Sequence, residues 1–285
     1  MLSAFLVTRI CLGQDAVSTE GITVTASADS PQQATPVGPY GQPSWTTERF
    51  FSNTRVYVRP PGTAELNQFW TPEFLRDGTV EHTFREEIEI GLPHRFQLDL
   101  YQNWNIDEDR RPFYKGSSVE VRYALADWGK IPLNPTLYAE WNFNRGIPDV
   151  WEAKILLGET FCRRWNWAGN IIYEQETGGA RAREIAVSQA LSYAVIDRIV
   201  NVGLEMLFEH TTEAGSRDKP AVEFLIGPAF NVKPSRHTYL SVSPLFGTTG
   251  ASPRAEIFLA FGVQIWGGSG REGEEVRAPA SFHGR

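Results

Sequence analysis

The sequence predicts an all-β chain folded as an antiparallel up-and-down transmembrane β-barrel of about 12 strands, and three observations predict it. Apolar and polar residues alternate with period two from about Gly62 to Trp266, which is the strand signature. The connections alternate between tight turns and long polar loops, the layout of an outer-membrane barrel with periplasmic turns and extracellular loops. Aromatic residues gather near the ends of the alternating runs, where amphipathic rings favour the two membrane interfaces.

The first strand is expected from about Gly62 to Trp70. Between Thr79 and Gly91, Val80, Phe84, Ile88 and Ile90 fall on one face and Glu81, Thr83, Arg85, Glu87 and Glu89 on the other. The turn Leu92-Pro93-His94 follows, and Phe96, Leu98, Leu100 and Trp104 then oppose Gln97, Asp99, Tyr101 and Asn103, completing a hairpin. A loop is expected from Asn105 to Ser117. After it, Val119, Val121, Tyr123 and Leu125 oppose Glu120 and Arg122, and Leu137, Ala139, Trp141 and Phe143 oppose Tyr138 and Glu140. The pattern runs on through Trp151 to Leu157, Trp165 to Tyr173, Ile185 to Val195, Val200 to Phe208, Val222 to Phe230, Leu240 to Val242 and Ala255 to Ile265. Asp197-Arg198 and Lys233-Pro234-Ser235 are further tight turns. Long connections are Asn144 to Val150, Gln175 to Glu184, Thr211 to Lys219 and Gly247 to Pro253. An even strand count puts both chain ends on the tight-turn side.

The aromatic girdle then comprises Trp104, Phe143, Trp151, Tyr173 and Phe208 by the long loops. Trp128, Trp165, Tyr193, Phe230 and Trp266 are expected by the tight turns. Glu86 and His82 run against this register: they share a face with Phe84 and Ile88, where a carboxylate facing lipid is costly. A bulge there, or a face that meets something other than lipid, would resolve the conflict.

The flanking segments read differently. Residues 1–28 read as an export signal or its remnant, with apolar Leu2 to Val7 interrupted by Arg9 and small residues at Ala26 and Ala28. Residues 29–61 read as a linker rich in proline (Pro31, Pro36, Pro39 and Pro43) and a short periplasmic segment. The barrel is expected over 62–266, and residues 267–285 as a flexible tail.

Composition excludes other classes. At 41% hydrophobic and 12% aromatic residues, the 285-residue chain is too apolar for a disordered one. Leu2 to Val7 falls far short of the roughly 18 apolar residues a helical span needs. Lys+Arg 27 against Asp+Glu 34 leaves a net charge of -7, and without a basic run this argues against nucleic acid as a partner. Two cysteines, Cys11 and Cys162, make no disulfide framework.

Chemistry is expected in the lumen. Its lining candidates are Glu81, Arg85, Glu87, Glu89, Asp99, Glu120, Arg122, Glu140 and Lys154 from the first strands, with Glu205, Glu223, Arg254 and Glu256 from the later ones. The later strands otherwise turn small residues inward, including Ser188, Ser192, Gly203, Gly227 and Gly262. A charged wall thus faces a small-residue wall, leaving space for water, solute or a plug. This reads either as a polar conduit or as a salt-bridged interior that merely holds the barrel.

Other motifs carry little. Gly268, Gly270 and Gly273 spell G-x-G-x-x-G without a following helix to hold a pyrophosphate. The five histidines never fall at metal-ligand spacing, and Asp107-Glu108-Asp109 reads as a solvated loop beside Arg110 and Arg111. No metal, cofactor or catalytic triad is expected, and the chain reads as a non-enzyme.

The run Glu86-Glu87-Ile88-Glu89-Ile90-Gly91-Leu92-Pro93-His94-Arg95-Phe96-Gln97-Leu98 resembles bacterial outer-membrane β-barrel transporters of the group named after the meta-pathway of phenol degradation. The resemblance lies in hairpin style over roughly Gly62 to Trp266, and it carries over no binding residue. It implies a channel or transporter in the bacterial outer membrane, with membrane lipid and small solutes, hydrophobic or aromatic ones among them, as partners. Barrels of this type end on an aromatic strand such as Phe261 to Trp266, whereas this chain continues to Arg285. The alternatives are a membrane-embedded hydrolase acting on lipid, and a structural or adhesive barrel whose loops bind partners.

Overall fold

A computed structural model of the chain describes residues 36–106, 111–162 and 164–267. The expected export signal, the acidic loop at 107–109, the glycine motif and the C-terminal tail lie outside the described residues.

Twelve antiparallel strands close into one barrel in simple up-and-down order. They are β3 (Ala64–Phe74), β4 (Val80–Leu92), β5 (Phe96–Ile106), β6 (Pro112–Ala124), β7 (Thr136–Asn144) and β8 (Val150–Phe161), then β9 (Trp165–Glu176), β10 (Arg183–Ile196), β11 (Val200–Thr212), β12 (Ala221–Val232), β13 (Thr238–Gly247) and β14 (Ala255–Trp266). β14 pairs with β3, so no barrel strand is left with a free edge. The period-two pattern fixes the register, because a slip by one residue would exchange the two faces of a strand. Leu66, Val121, Ile155, Ile171, Leu204 and Phe261 point outward and are exposed, as an apolar band facing lipid requires.

Two expectations are refined. Part of the predicted loop from Asn105 to Ser117 belongs to β5 and β6, whose pairing shifts register between Asn103 and Trp104. In β4 there is no bulge: its pairings with β3 and β5 run unbroken past Glu86. Glu86 stays outward and is satisfied by the indole N–H of Trp104, which donates to its Oε2 at 2.6 Å. His82 likewise accepts from the Trp70 indole, Nε1 to Nδ1 at 3.3 Å. The aromatic residues thus carry the polar groups the register exposes.

The largest correction concerns residues 36–61. Expected as a linker and periplasmic segment, they run inside the barrel. A short ladder, β1 (Pro36–Val37) with β2 (Gln42–Pro43), sits at the tight-turn end, followed by a 3-10 turn at Ser44–Thr47. The chain then climbs to mid-lumen around Arg49 to Asn53 and returns extended to Ala64. Trp45, Phe50, Phe51, Val56, Tyr57 and Val58 are buried here, against Ala124, Ala168 and Ala190 of the wall. The physical reason is volume: the small inward residues of the strands leave room that this aromatic segment fills. At Gly91 a Cβ would lie 2.0 Å from the Pro60 carbonyl oxygen, and at Gly158 one would lie 2.5 Å from Val56 Cγ1. Only glycine admits so close a backbone approach there.

Trp128 is also corrected. It lies in the connection between β6 and β7, and its ring meets Trp45 at 6.1 Å and Tyr57 at 5.3 Å edge-on. Its backbone N–H donates to Tyr40 O at 2.9 Å, so this residue closes the underside of the plug instead of facing the interface.

Candidate functional site

The lumen divides at the top of the plug. Below, the inward charges of β3 to β6 meet arginines of the inserted segment. Arg55 donates to Glu87 Oε1 at 2.7 Å, to Glu89 Oε1 at 2.8 Å and to the Tyr101 hydroxyl at 2.6 Å. Arg59 reaches Glu65 Oε2 at 3.0 Å and donates to Thr47 O at 2.6 Å. Arg122, from the wall, donates to Asp99 Oδ2 at 2.9 Å and to Glu120, and reaches Tyr57 O at 3.3 Å. Burial alone would lower the Arg55 pKa, but Glu87, Tyr101, Glu120 and Glu89 outweigh it and hold it well above the usual guanidinium value. The carboxylates of Glu87, Glu89 and Asp99 converge within 4.8 Å, the arrangement of a cation site. The guanidinium groups of Arg55 and Arg122 supply the positive charge there.

The plug is also pinned through its backbone. Glu205 Oε1 accepts from the N–H groups of Asn53 at 2.9 Å and Thr54 at 2.6 Å, while its Oε2 accepts from Ser243 Oγ at 2.6 Å. Asn170 clasps Arg55, accepting from its N–H and donating to its carbonyl, both at 2.8 Å. Lower down, Gln97 Oε1 accepts from Arg59 N at 2.7 Å, and Tyr40 donates to Leu92 O at 3.3 Å.

Above the plug lies a cavity of about 310 Å³. Arg49, Ser52, Asn53 and Arg55 form its floor; Phe69, Leu207 and Phe258 add apolar wall; Arg85, Lys154, Glu174, Glu184, Glu209 and Glu256 bring charge. The acids stand in rows set by strand register. Glu140, Glu152, Glu174 and Glu184 are successive cross-strand partners, as are Glu209 with Glu223, and Glu256 with Glu73 and Glu81. Like charges directly opposite one another are destabilising, so this belt costs the fold something. Arg49 differs from Arg55: burial and the neighbouring Arg55 pull its pKa below the ordinary value, and Glu87 only partly offsets them.

The predicted lumen residues therefore separate into three groups. Glu87, Glu89, Glu120, Arg122 and Glu205 touch the plug and Asp99 holds Arg122, while Arg85, Lys154 and Glu256 line the cavity and Glu140, Glu81 and Glu223 join its acidic rows. Arg254 is corrected: it is exposed just before β14, donates to Arg76 O at 2.8 Å, and belongs to the rim. Sequence reasoning missed Arg49, Arg55 and Arg59. The signal available was Thr54 to Arg59, a β-branched run with arginines four residues apart on one face, next to a wall with excess acid.

Of the expected girdle, Phe143, Phe230 and Trp266 are exposed on the outer face, and Trp165 packs on Tyr193 there at 5.0 Å. Trp151 meets Tyr173 at 5.2 Å on adjacent strands, and Trp104 meets Tyr114 at 5.1 Å. Phe208 is partly buried beside its β12 partner Phe224.

A closed barrel with an apolar outer face and a polar, filled interior is an outer-membrane β-barrel, and the bacterial outer membrane is where this chain resides. The chain is similar to several solved structures, and the first of these shares the fold. An outer-membrane channel from Pseudomonas putida F1 is 10% identical and superposes over 73% of this chain and 97% of its own, with a TM-score of 0.51. A NanC porin is 9% identical over 71% of this chain and 98% of its own (TM-score 0.49). The β domain of the Bordetella autotransporter BrkA is 8% identical over 72% and 100% (TM-score 0.47). No protein-family model matches the chain, and no curated protein matches it. The expectation of a non-enzyme is corrected. The resemblances extend to barrels of varied name, including OmpT of Vibrio cholerae at 10% identity and a TM-score of 0.37. The barrel fold by itself gives no ground for excluding catalysis.

Proposed function

We propose that this barrel passes small solutes across the outer membrane, and that its own residues 36–61 must shift for a solute to pass. The observation that carries this reading is the division of the lumen: a cavity of about 310 Å³ stands above a plug made from the same chain. A barrel that merely held itself together would need no such space. Porin-like passage is supported by the polar lining, and the apolar wall of Phe69, Leu207 and Phe258 supports solutes with a hydrophobic or aromatic part. The hairpin resemblance to the meta-pathway group points the same way.

The test is to tether the plug. Ser52 Oγ and Ser243 Oγ lie 3.0 Å apart, so cysteines at both positions are close enough to bridge. In proteoliposomes, oxidised S52C/S243C protein is expected to lose solute flux and to regain it on reduction, with the unaltered protein treated identically as control. Flux unaffected by the tether overturns the moving plug; no flux from the correctly inserted, unaltered protein overturns transport.

A further inference from the structure

We infer that the upper cavity binds a small zwitterion carrying an apolar side group, its anionic end on the plug and its cationic end at the acidic wall. The inference deepens the transport reading and rests on it only for the question of passage.

The floor offers donors with nothing to donate to. The Arg49 side chain is 10% exposed, its Nε donates to Ser52 O at 3.0 Å, and its ring-facing side lies over Phe69 at 4.4 Å. Its Nη1 has no hydrogen-bond partner, and the nearest carboxylate, Glu87, stands 3.9 Å away with both oxygens already engaged by Arg55 and Asn67. Asn53 Nδ2 is a second buried donor without a partner, on the same floor. Leaving a buried donor without an acceptor is costly, so two on one cavity floor mark a place for an acceptor from outside the chain.

The wall offers the reverse. Among the described residues, Glu209 and Glu256 make no hydrogen bond or ion pair, although both line the cavity. Each instead faces another glutamate across the sheet, Glu223 and Glu73 respectively. A cationic group in the cavity gives these carboxyl groups the partner that the strand register denies them. Phe69, Leu207 and Phe258 supply apolar surface in the same cavity. An anion alone would leave the acids without a partner, and a cation alone would leave Arg49 Nη1 without a hydrogen-bond acceptor. A molecule carrying both charges with an apolar body satisfies all three features.

The test uses four probes sharing one phenyl body: L-phenylalanine, 3-phenylpropionate, 2-phenylethylamine and ethylbenzene. Binding to the full-length folded protein in detergent is read by calorimetry. Phenylalanine is expected to bind at least tenfold more tightly than either singly charged probe, and ethylbenzene weakest of all. Arg49→Gln should weaken phenylalanine and phenylpropionate but spare phenylethylamine. Glu209→Gln with Glu256→Gln should weaken phenylalanine and phenylethylamine but spare phenylpropionate; this pair lies outside the plug, so it answers even where Arg49→Gln disturbs plug folding. Equal affinity for a singly charged probe, no binding, or uniform losses across all probes overturns the inference. Binding with the crossed pattern but no phenylalanine flux in proteoliposomes keeps the site and discards the transport reading.

Discussion

The lower and upper halves of the lumen are built from the same kind of strand residue, yet their charges meet opposite fates. Below, Glu87 and Glu89 are held at 2.7 Å and 2.8 Å by Arg55, and further polar groups take up the remaining oxygens. Above, Glu209 and Glu256 stand opposite other acids with no such partner among the described residues. Buried ion pairs survive only when geometry repays desolvation, so the lower network is a structural contact surface. Charges kept unpaired beside a cavity are a cost that a ligand can offset. The difference separates what holds the plug from what receives a solute.

The largest break in this comparison is expected from Arg55→Ala. It would leave Glu87, Glu89 and the Tyr101 hydroxyl without their shared donor in a buried site. Breaking a buried pair from one side costs about 3–5 kcal/mol. The predicted result is release of the plug at constant barrel content: protease access to residues 36–61 rises, strand circular dichroism persists, and single-channel conductance grows. A variant with the plug still protected would show that the aromatic packing alone retains it.

Next in size is Gly91→Ala, whose Cβ would meet the Pro60 carbonyl at 2.0 Å, with backbone on both sides of the contact. Overpacking of this kind costs about 1–3 kcal/mol, borne where the returning plug strand joins the wall. Glu205→Gln tests the apex. Asn53 N and Thr54 N keep an oxygen acceptor, but the charge that strengthens both bonds is gone, a loss on the order of 1 kcal/mol. Hydrogen exchange at those two amides should quicken, while Arg55 N, bonded to Asn170, should not.

The strands were legible in the sequence because each has one apolar and one polar face, and period two records that directly. Even the outward Glu86 was visible as an exception, though its remedy, the Trp104 indole on the neighbouring strand, was not. The plug was illegible for a related reason. Both faces of Thr54 to Arg59 are buried, Val56 and Val58 against small wall residues and Arg55 and Arg59 among carboxylates, so the run carries no alternation of environment to read. Its prolines look like a linker, and the partners that neutralise Arg55 lie 32 and 34 residues away along the chain. Trp128 misled in the same way: an aromatic residue near a strand end suits an interface or a buried edge equally, and only its contact with Trp45 and Tyr57 decides.

The smallest expected effect is also the one with reversed sign. Removing an acid from the lower network should destabilise the protein, whereas Glu256→Gln in the upper cavity removes a charge directly opposite Glu73 and breaks no hydrogen bond or ion pair among the described residues. Relief of a like-charge cross-strand pair is worth roughly 0.2–1 kcal/mol, so the variant should melt at the same temperature as the parent or slightly above it. In planar bilayers, with the plug released by Arg55→Ala, the added substitution should move the reversal potential in a salt gradient toward anions. A fall in stability would mean that Glu256 is paired in the membrane after all. An unchanged reversal potential would mean that permeating ions do not pass the acidic rows, and the contrast between a sealed lower half and a receptive upper half would then rest on Arg49 and Asn53 alone.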